Sequence, residues 1–433
     1  MTRLFIIAFR NILEHRRRSL TLGAAIAMVT VLLVLLMGIS NGIQSTLFRS
    51  ATTLIAGHVT VGGVYKFTPS SAAPMVSDYK KIRKLVEDNV EGIDYVIDRM
   101  RGFGKIISFK SSQFALVAGV DIEEEEGFRD VLTIEKGSID DLAEPDTILI
   151  FEKHAERLGV RVGDDLIIRT PTYRGVENTV TVRIVAIAKD IGLLSSFMTY
   201  VRKDTVRKLY DLTDDLTGAI FVYLKDVEDV PKTMEKVREV LEANGYDLMQ
   251  HEKKSLWEKL DTIRREGWTG QKIDVTAWDD EIVNLAALVS AFDAVSVAVV
   301  MVLLIIIVIG LMNALWMAIR ERTSEIGTLR AIGMQRGSVL LMIVMEAVTL
   351  TLMAAIIGVG LGYGLAAGLT SAGIEITSEG VRAFLMSDVL YLEVDAAHLI
   401  QSIVIITVFN GLGSLYPAWR AARIPPVVAM QKG

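Results

Sequence analysis

Four long apolar segments divide the chain into stretches that suit a bilayer and stretches that suit water. Residues 19–48, 294–319 and 399–419 carry no charge, and residues 338–369 carry one. About 20 consecutive apolar residues are enough to cross the hydrocarbon core of a membrane. The pattern therefore predicts four transmembrane helices.

The region between the first two apolar segments has a different pattern. Its stretches with the β-branched or alternating pattern typical of strands are 58–63, 114–120, 179–188 and 219–224. Apolar residues at helical spacing predict helices over 77–90 and 229–245, and Gly245 suits the end of the second. The predicted fold class is an α-helical membrane domain of four transmembrane helices plus a large α+β extracytoplasmic domain inserted between helices 1 and 2.

Lysine and arginine residues near the ends of the apolar segments set the predicted orientation. Five arginines precede the first segment, four lie between the second and third, and basic residues follow the fourth, whereas 370–397 holds only Arg382. Both termini and 321–337 are therefore expected in the cytoplasm, with the large domain on the other side. The predicted organisation is a cytoplasmic amphipathic elbow helix 1–18, transmembrane helix 1 at 19–48, an extracytoplasmic domain 49–285, transmembrane helix 2 at 286–320, a cytoplasmic segment 321–337, transmembrane helix 3 at 338–369, an extracytoplasmic connector 370–397, transmembrane helix 4 at 398–419 and a cytoplasmic tail 420–433.

Composition narrows the classes of function. The 433 residues include 51% hydrophobic and 23% charged residues, and the net charge of −6 argues against nucleic-acid binding. The chain has no cysteine and five scattered histidines, so we predict no metal site and no catalytic residue. The run EEEE at 123–126 is interpreted as a solvated face. No phosphate-binding loop is present, so any ATP hydrolysis is expected in a separate chain.

Polar residues and glycines inside the apolar segments form a second set of candidates. Glu346 has two interpretations, a cavity or relay residue and a structural hydrogen bond near the cytoplasmic side. We expect Asn313 and Asn410 to bond neighbouring helices. A further set shares the spacing i, i+4, i+8, which predicts a smooth strip for helix packing: Gly360, Gly364 and Gly368.

The segment 321–337, ERTSEIGTLRAIGMQRG, places charges between two apolar segments. Ile326, Leu329 and Ile332 recur every three residues and predict an apolar stripe on a short helix that Gly333 ends. Such a helix is marginal alone in water, so it requires a packing partner. The alternative is a helical turn that rests on the membrane surface.

This segment resembles the E-R-x-x-E-I-G-x-x-R-A-[IL]-G-A motif of FtsX/MacB/LolC-type ABC transporter permeases. Residues 8–28, 148–168 and 416–430 resemble the amphipathic elbow, an extracytoplasmic segment and the C-terminal tail of that family. In the family the motif forms the coupling helix that docks on the ATPase. The resemblance assigns this role to Glu321, Arg322, Glu325, Ile326, Gly327, Leu329, Arg330, Ala331, Ile332 and Gly333.

The resemblance also implies partners and a location. Such permeases work as dimers, with a second copy or a paralogue, on cytoplasmic ABC ATPase subunits that bind ATP and Mg²⁺, while this chain holds no cofactor. ATP-driven closure of the ATPases moves the long helices, which is mechanotransmission to the outer domain. The expected location is the bacterial inner membrane, with several spans and the large domain in the periplasm.

Members of this family perform different tasks, and three of them are considered for this chain. We favour lipoprotein or lipid-linked substrate release, on the likeness of 52–63 to lipoprotein-release members. MacB-like efflux of peptides, toxins or drugs is the first alternative, and an FtsX-like regulator of periplasmic partners is the second. The substrate-binding residues are unknown, and 253–271 is an insertion without an assigned role.

Overall fold

The structure is a computed structural model that describes residues 10, 14, 16–69, 71–192, 194–378, 380–382 and 389–425. Most of the predicted elbow helix and the end of the predicted tail lie outside the described residues. The chain divides into two compact units. The helical unit comprises Met1–Gln44, Val289–Glu375 and Val389–Gly433, and the α+β unit comprises Ser45–Leu288 and Ile376–Asp388.

The α+β unit holds more strands and helices than the four strands and two helices that the sequence pattern predicts. The helices are α1 (Arg16–Leu54), α2 (Tyr79–Asn89), α3 (Phe128–Val131), α4 (Glu152–Leu158), α5 (Lys203–Tyr210), α6 (Val230–Ala243), α7 (Leu256–Ile263), α8 (Trp278–Glu281), α9 (Val283–Glu321), α10 (Thr323–Ala331), α11 (Arg336–Ser371) and α12 (Ala396–Ala422). The strands are β1 (Val59–Lys66), β2 (Val76–Ser77), β3 (Ile93–Ile107), β4 (Ser112–Val120), β5 (Ile134–Gly137), β6 (Thr147–Phe151), β7 (Asp165–Pro171), β8 (Glu177–Ala188), β9 (Met198–Arg202), β10 (Leu216–Thr217), β11 (Ala219–Leu224) and β12 (Gly270–Ala277).

Among the described residues, four helices are long and apolar enough to cross a membrane: α1, α9, α11 and α12. The helices α1 and α9 have 39 residues each. At a rise of 1.5 Å per residue each is about 58 Å long, roughly twice the thickness of the hydrocarbon core. The predicted fold class, with four apolar helices and an α+β domain between the first and second, is confirmed.

The helical unit buries one apolar cluster that all four long helices share. Ile26 of α1, Leu304 of α9, Ala355 of α11 and Ile406 of α12 meet there and are almost fully buried. Asp293 of α9 adds a polar contact, because it accepts hydrogen bonds from the side chains of Ser40 and Gln44 in α1. The first two membrane-crossing helices are thus joined by packing and by charge-assisted hydrogen bonds.

Two glycines of α11 allow a close approach to α1. A Cβ built on Gly358 would lie 2.6 Å from the carbonyl oxygen of Ala27, and one on Gly362 would lie 3.0 Å from the Cβ of Val34. These distances leave no room for a larger residue. Small residues at such contacts let helix backbones pack closely in a membrane.

The predicted packing strip of Gly360, Gly364 and Gly368 contacts none of the described residues of this chain. A Cβ added at any of the three would meet no heavy atom of the described residues within 4 Å. The contact is made instead by Gly358 and Gly362. Two residues correspond to about 200° around a helix, so the glycines at the two registers lie on opposite faces.

The α+β unit contains a ten-stranded sheet of order β12-β1-β11-β3-β4-β9-β6-β8-β5, and β7 pairs with β3 and β8. Neighbouring strands are antiparallel except for the pairs β4/β9 and β6/β8. A second, two-stranded sheet pairs β10 with β2. The long strand β3 contributes Val96 to one apolar core, with α2 and α6, and Ile106 to another, with α4 and α5.

Local predictions in this unit largely agree with the structure. Strand β11 has the predicted bounds, and α2 and α6 lie within the predicted helices. Gly245 follows α6 with a φ of +84°, a conformation that suits glycine. The insertion 253–271 contains α7, whose Leu256 and Leu260 are buried.

The interpretation of 123–126 as a solvated face is wrong for one of its four residues. The Glu125 side chain is 3% exposed and forms an ion pair with Arg99, which is 2% exposed. Glu124 fits the prediction better, because it is 43% exposed. The sequence cannot distinguish the buried glutamate from its three neighbours, because the geometry of the turn decides which carboxylate points inward.

We expect alanine at Gly358 and at Gly360 to change the stability of the helical unit in opposite directions. Gly360→Ala fills open space and reduces the entropy lost on helix formation, so it should stabilise the protein by about 0.5–1 kcal/mol. Gly358→Ala should destabilise it by about 1–3 kcal/mol through overpacking against α1. Thermal unfolding of the two variants in detergent measures both effects, and equal shifts would contradict the observed register.

Candidate functional site

The short helix α10 lies between α9 and α11 and covers the middle of the predicted segment 321–337. Its last turn is closed by hydrogen bonds from the amide of Ile332 to the carbonyl of Thr328 and from Met334 to Leu329, both 3.0 Å long. Gly333 has a φ of +107°. Glycine adopts this left-handed conformation without steric cost, so Gly333 ends the helix as predicted.

One face of α10 is packed into the helical unit. Ile326 is 5% exposed and belongs to a cluster with Leu315 of α9, Ile343 of α11 and Ala421 of α12. Gly327 is buried beside it. The packing partner that a short helix requires is therefore supplied, for this face, by the chain itself.

An ion pair joins the start of α10 to the first third of α11. The guanidinium Nη1 of Arg322 lies 3.4 Å from Oε2 of Glu346, and the two side chains are 12% and 13% exposed. Arg322 also lies 4.0 Å from Glu325, as the i, i+3 spacing predicts. Glu346 therefore makes a structural ion pair in this chain, and its role as a cavity or relay residue stays a prediction.

A second contact fixes the other end of α10. The guanidinium of Arg330 donates hydrogen bonds to the carbonyl oxygens of Ala422, at 3.1 Å, and Ile424. These carbonyls belong to the last turn of α12 and the residues after it, where the backbone lacks helical partners and the helix dipole favours a cation. Arg330 was predicted to contact an ATPase, and here its charge stabilises this chain.

The other face of α10 is exposed. Glu325 is 74% exposed, Leu329 is 37% exposed and Ile332 is 81% exposed. The predicted stripe is therefore divided, with Ile326 inside and the other two apolar residues outside. Ala331 is exposed beside them, whereas Glu321 lies at the end of α9. We call the surface formed by Glu325, Leu329 and Ile332 the α10 face.

The two intramembrane asparagines lie in different surroundings. Asn313 is exposed on α9 and has no hydrogen bond to the described residues, so its bond to a neighbouring helix stays a prediction. Asn410 is completely buried in α12, yet neither amide atom has a partner in the part of the chain that is described. Sequence spacing cannot show which way a polar residue in an apolar helix faces.

The contacts of Arg322 and Arg330 were not foreseen. Arg322 and Glu346 are 24 residues apart, and Arg330 bonds main-chain atoms about 90 residues away. The Arg322–Glu346 pair could have been predicted from the sequence, because both residues are charged groups at the edge of an apolar segment. The contacts of Arg330 could not have been predicted in this way, because its partners are main-chain carbonyl oxygens, which every residue has. Among the described residues, no group of three acidic or histidine side chains could hold a metal ion.

Family models match both parts of the chain. The model for the MacB-like periplasmic core domain matches residues 19–240, and the model for the FtsX-like permease C-terminal region matches residues 297–426. The first match alone covers more than half of the chain. The second includes α10 and the residues that hold it.

Curated relatives agree with these matches. The ABC transporter permease YknZ of Bacillus subtilis is 33% identical over 123 residues, which are 28% of this chain and 27% of that protein. The permease MJ1507 of Methanocaldococcus jannaschii is 22% identical over 98% of this chain and 96% of its own length. A macrolide export ATP-binding/permease protein MacB, from Chlorobaculum tepidum, is 33% identical over 28% of this chain and 16% of its own length.

Two solved structures are similar to part of the chain. The extracellular domain of YknZ matches with 15% identity and a TM-score of 0.30, over 43% of this chain and 95% of that domain. The periplasmic region of MacB from Actinobacillus actinomycetemcomitans matches with 15% identity and a TM-score of 0.32, over 55% of this chain and 94% of that region. On the family-model matches, this chain belongs to the FtsX/MacB-type family of ABC transporter permeases, as a multi-pass membrane protein with an extracytoplasmic domain.

Proposed function

We propose that this chain is the permease subunit of an ABC transporter and couples ATP hydrolysis by a partner ATPase to movement of its extracytoplasmic domain. The observation that carries the proposal is the division of α10 into a packed face and an exposed face. Ile332, the residue directly after this short helix, is apolar and 81% exposed, which suits a protein partner better than water. ATP and Mg²⁺ would bind to that partner, which would lie in the cytoplasm.

The contacts of α10 would carry a push on its exposed face into the membrane helices. Arg322 joins its start to α11 through Glu346, and Arg330 joins its end to α12. Ile326 anchors the packed face between them. With three attachments, the helix would move together with its neighbours and would not bend alone.

The lengths of α1 and α9 support transmission across the membrane. Each is about 58 Å long, whereas the hydrocarbon core is about 30 Å thick. Ser45–Leu54 of α1 and the first residues of α9 belong to the α+β unit, and the rest belongs to the helical unit. We propose that a dimer of such chains works in this way in the bacterial inner membrane, with its α+β unit in the periplasm.

Efflux of the MacB type is the favoured task. Relatives of this chain are named for export of macrolides and of pyoverdine. Lipoprotein or lipid-linked substrate release is the competing proposal. Only residues 172–176 separate β7 from β8, and this connection is too short for the hook with which lipoprotein-release permeases of the LolC type recruit a carrier.

Ile332→Asp should weaken binding of the partner ATPase at least about tenfold, because it replaces the most exposed apolar side chain of the α10 face with a charge. The fold should be retained, since Ile332 is exposed. Copurification and a binding titration in detergent measure the effect. Ile374→Asp, an equally simple change of an exposed isoleucine beyond the opposite end of α11, is the control. Unchanged binding of Ile332→Asp would refute docking at α10.

Replacing one partner of the Arg322–Glu346 pair should lower the free energy of unfolding more than replacing both. Arg322→Met removes the guanidinium that lies 3.4 Å from a largely buried carboxylate, and we expect a loss of about 1–3 kcal/mol in the free energy of unfolding. The double variant Arg322→Met/Glu346→Leu should recover at least about 1 kcal/mol of this loss. Unfolding in detergent measures the double-mutant cycle. Additive effects of the two substitutions would show that the pair does not hold α10.

Transport by reconstituted vesicles separates the two tasks. With the partner ATPase, ATP should drive movement of a fluorescent macrolide, and Ile332→Asp should abolish it. ATP-dependent release of a labelled lipoprotein, without macrolide transport, would instead favour lipoprotein release. An ATPase rate that responds to neither substrate would favour a regulator that only transmits force.

A further inference from the structure

The end of α1 inside the α+β unit is held in an unusual way. The last four carbonyl groups of a helix have no partner within the helix. In α1 these groups belong to Ala51, Thr52, Thr53 and Leu54. The carbonyl of Ala51 accepts the amides of the two residues that follow the helix, both at 3.0 Å. Of the other three residues, Thr52 and Leu54 are buried and Thr53 is partly buried, so their carbonyls need partners from elsewhere in the chain.

Side chains from three strands supply those partners. The hydroxyl of Tyr223 in β11 donates to Thr52 at 2.8 Å. The guanidinium of Arg99 in β3 donates to Thr53 at 2.7 Å. The hydroxyl of Tyr200 in β9 donates to the carbonyl of Leu54 at 3.3 Å. All the final carbonyls of α1 are therefore satisfied, and the helix ends directly on the sheet.

Arg99 is the central member of this group. Its Nε and Nη2 donate to the two carboxylate oxygens of Glu125, with Nε at 2.6 Å. Burial alone would lower the pKa of Arg99. The charge of Glu125, its hydrogen bonds to the guanidinium and the neighbouring hydroxyl groups of Tyr223 and Tyr200 together outweigh burial and raise this pKa, so the guanidinium stays charged. A buried cation at the C-terminal end of a helix is favoured by the helix dipole. The rings of Phe128 and Phe221 lie 4.9 and 5.0 Å from its central carbon.

The two tyrosines also keep their donor form. Burial raises the pKa of both hydroxyl groups well above the ordinary value, and the nearby Arg99 only partly offsets this. Tyr200 and Tyr223 therefore stay protonated at any physiological pH. Each hydroxyl can then donate to a helix carbonyl without a competing charge.

The start of α9 is joined to the same strand. Arg101 lies two residues after Arg99 in β3, so both side chains leave the same face of the sheet. Its Nη2 is 3.5 Å from Oε2 of Glu281, and the side chains are 9% and 3% exposed. Glu281 is the last residue of α8, two residues before α9 begins, and it also accepts a hydrogen bond from Thr276 in β12.

No flexible linker separates either helix from the sheet. Only residues 55–58 connect α1 to β1, and α8 follows β12 directly. A Cβ added to Gly57 would lie 2.8 Å from the amide nitrogen of Val222, so the connecting backbone is packed tightly on β11. A hinge needs a segment with few buried contacts. The described residues of this junction contain no such segment.

We propose that Arg99, Arg101, Tyr200 and Tyr223 act as positioning residues that fasten the end of α1 and the start of α9 to one sheet. We call these four residues the helix clamp. The inference rests on the proposed function for its consequence, which is that the sheet follows the two helices when ATP is hydrolysed. The attachment itself is a property of the chain alone. The two parts are tested separately.

Hydrogen exchange of the full-length chain tests the attachment. Tyr200→Phe/Tyr223→Phe removes two hydroxyl groups and keeps the rings, so the fold should be retained. We expect the amides of residues 51–56 to exchange at least about fivefold faster, from the loss of two hydrogen bonds. Tyr210→Phe is the matched control, because its buried hydroxyl bonds to Phe103 and Thr170 instead. Equal exchange of residues 51–56 in wild type and double variant would overturn the clamp.

The α9 end is tested in the same way with Arg101→Met. This change should speed exchange at residues 281–287 by a similar factor, because Glu281 loses its cation. Lys203→Met is the control, since Lys203 is 12% exposed and pairs with Asp98 of the same strand. Equal effects of the two substitutions on residues 281–287 would show that Arg101 has no specific role there.

The consequence for coupling is tested in the complex with the partner ATPase. ATP should change the exchange of the α+β unit in wild type and in Tyr210→Phe. In Tyr200→Phe/Tyr223→Phe this change should be reduced at least about fivefold while the ATPase rate is retained. A full ATP response with faster exchange at 51–56 would refute the positioning role. Absence of any response in wild type would refute the proposed function, and the exchange of the isolated chain would still decide the attachment.

Discussion

Hydrogen-bonding groups at the end of a helix need partners wherever the helix ends away from water, and this constraint recurs throughout the chain. The carbonyls at the end of α12 accept from Arg330, and those at the end of α1 accept from Arg99 and two tyrosines. In each case a cation joins a helix end to a different element. The same groups that satisfy the backbone therefore also connect α10 to the membrane helices and α1 to the sheet.

Buried ion pairs near the ends of helices cost desolvation free energy, but they also fix the orientation of the helices. Removing two charges from water is expensive, and an apolar pair of similar size often gives equal stability. The Arg99–Glu125 and Arg322–Glu346 pairs are retained at two junctions, one in each unit. Their directional bonds fix the orientation of a helix, which an apolar contact of the same area would leave free to slide. This property suits a chain whose proposed task is to pass on movement.

The pattern of the sequence was sufficient for the fold class and for the short helix between α9 and α11. Uncharged runs longer than 20 residues can only be satisfied by lipid or by a large core, so the four helices follow from composition and length. Gly333 was placed correctly because a left-handed residue after a short helix favours glycine. Periodicity defines a face without naming its neighbour, so it could not show that Gly358 and Gly362, and not the Gly360 strip, face α1. A run of four like charges could not show that Glu125 alone is buried.

By itself, the sequence determined the number of membrane helices, the insertion of the α+β domain and the short helix between α9 and α11. These depend on local composition, which each segment carries alone. The tertiary structure decided which residues of that helix are exposed, that Arg330 serves this chain, and that Arg99 and Arg101 meet the ends of α1 and α8. Such contacts join residues far apart in the chain, and their partners are often backbone atoms, which every residue possesses and no sequence pattern can distinguish.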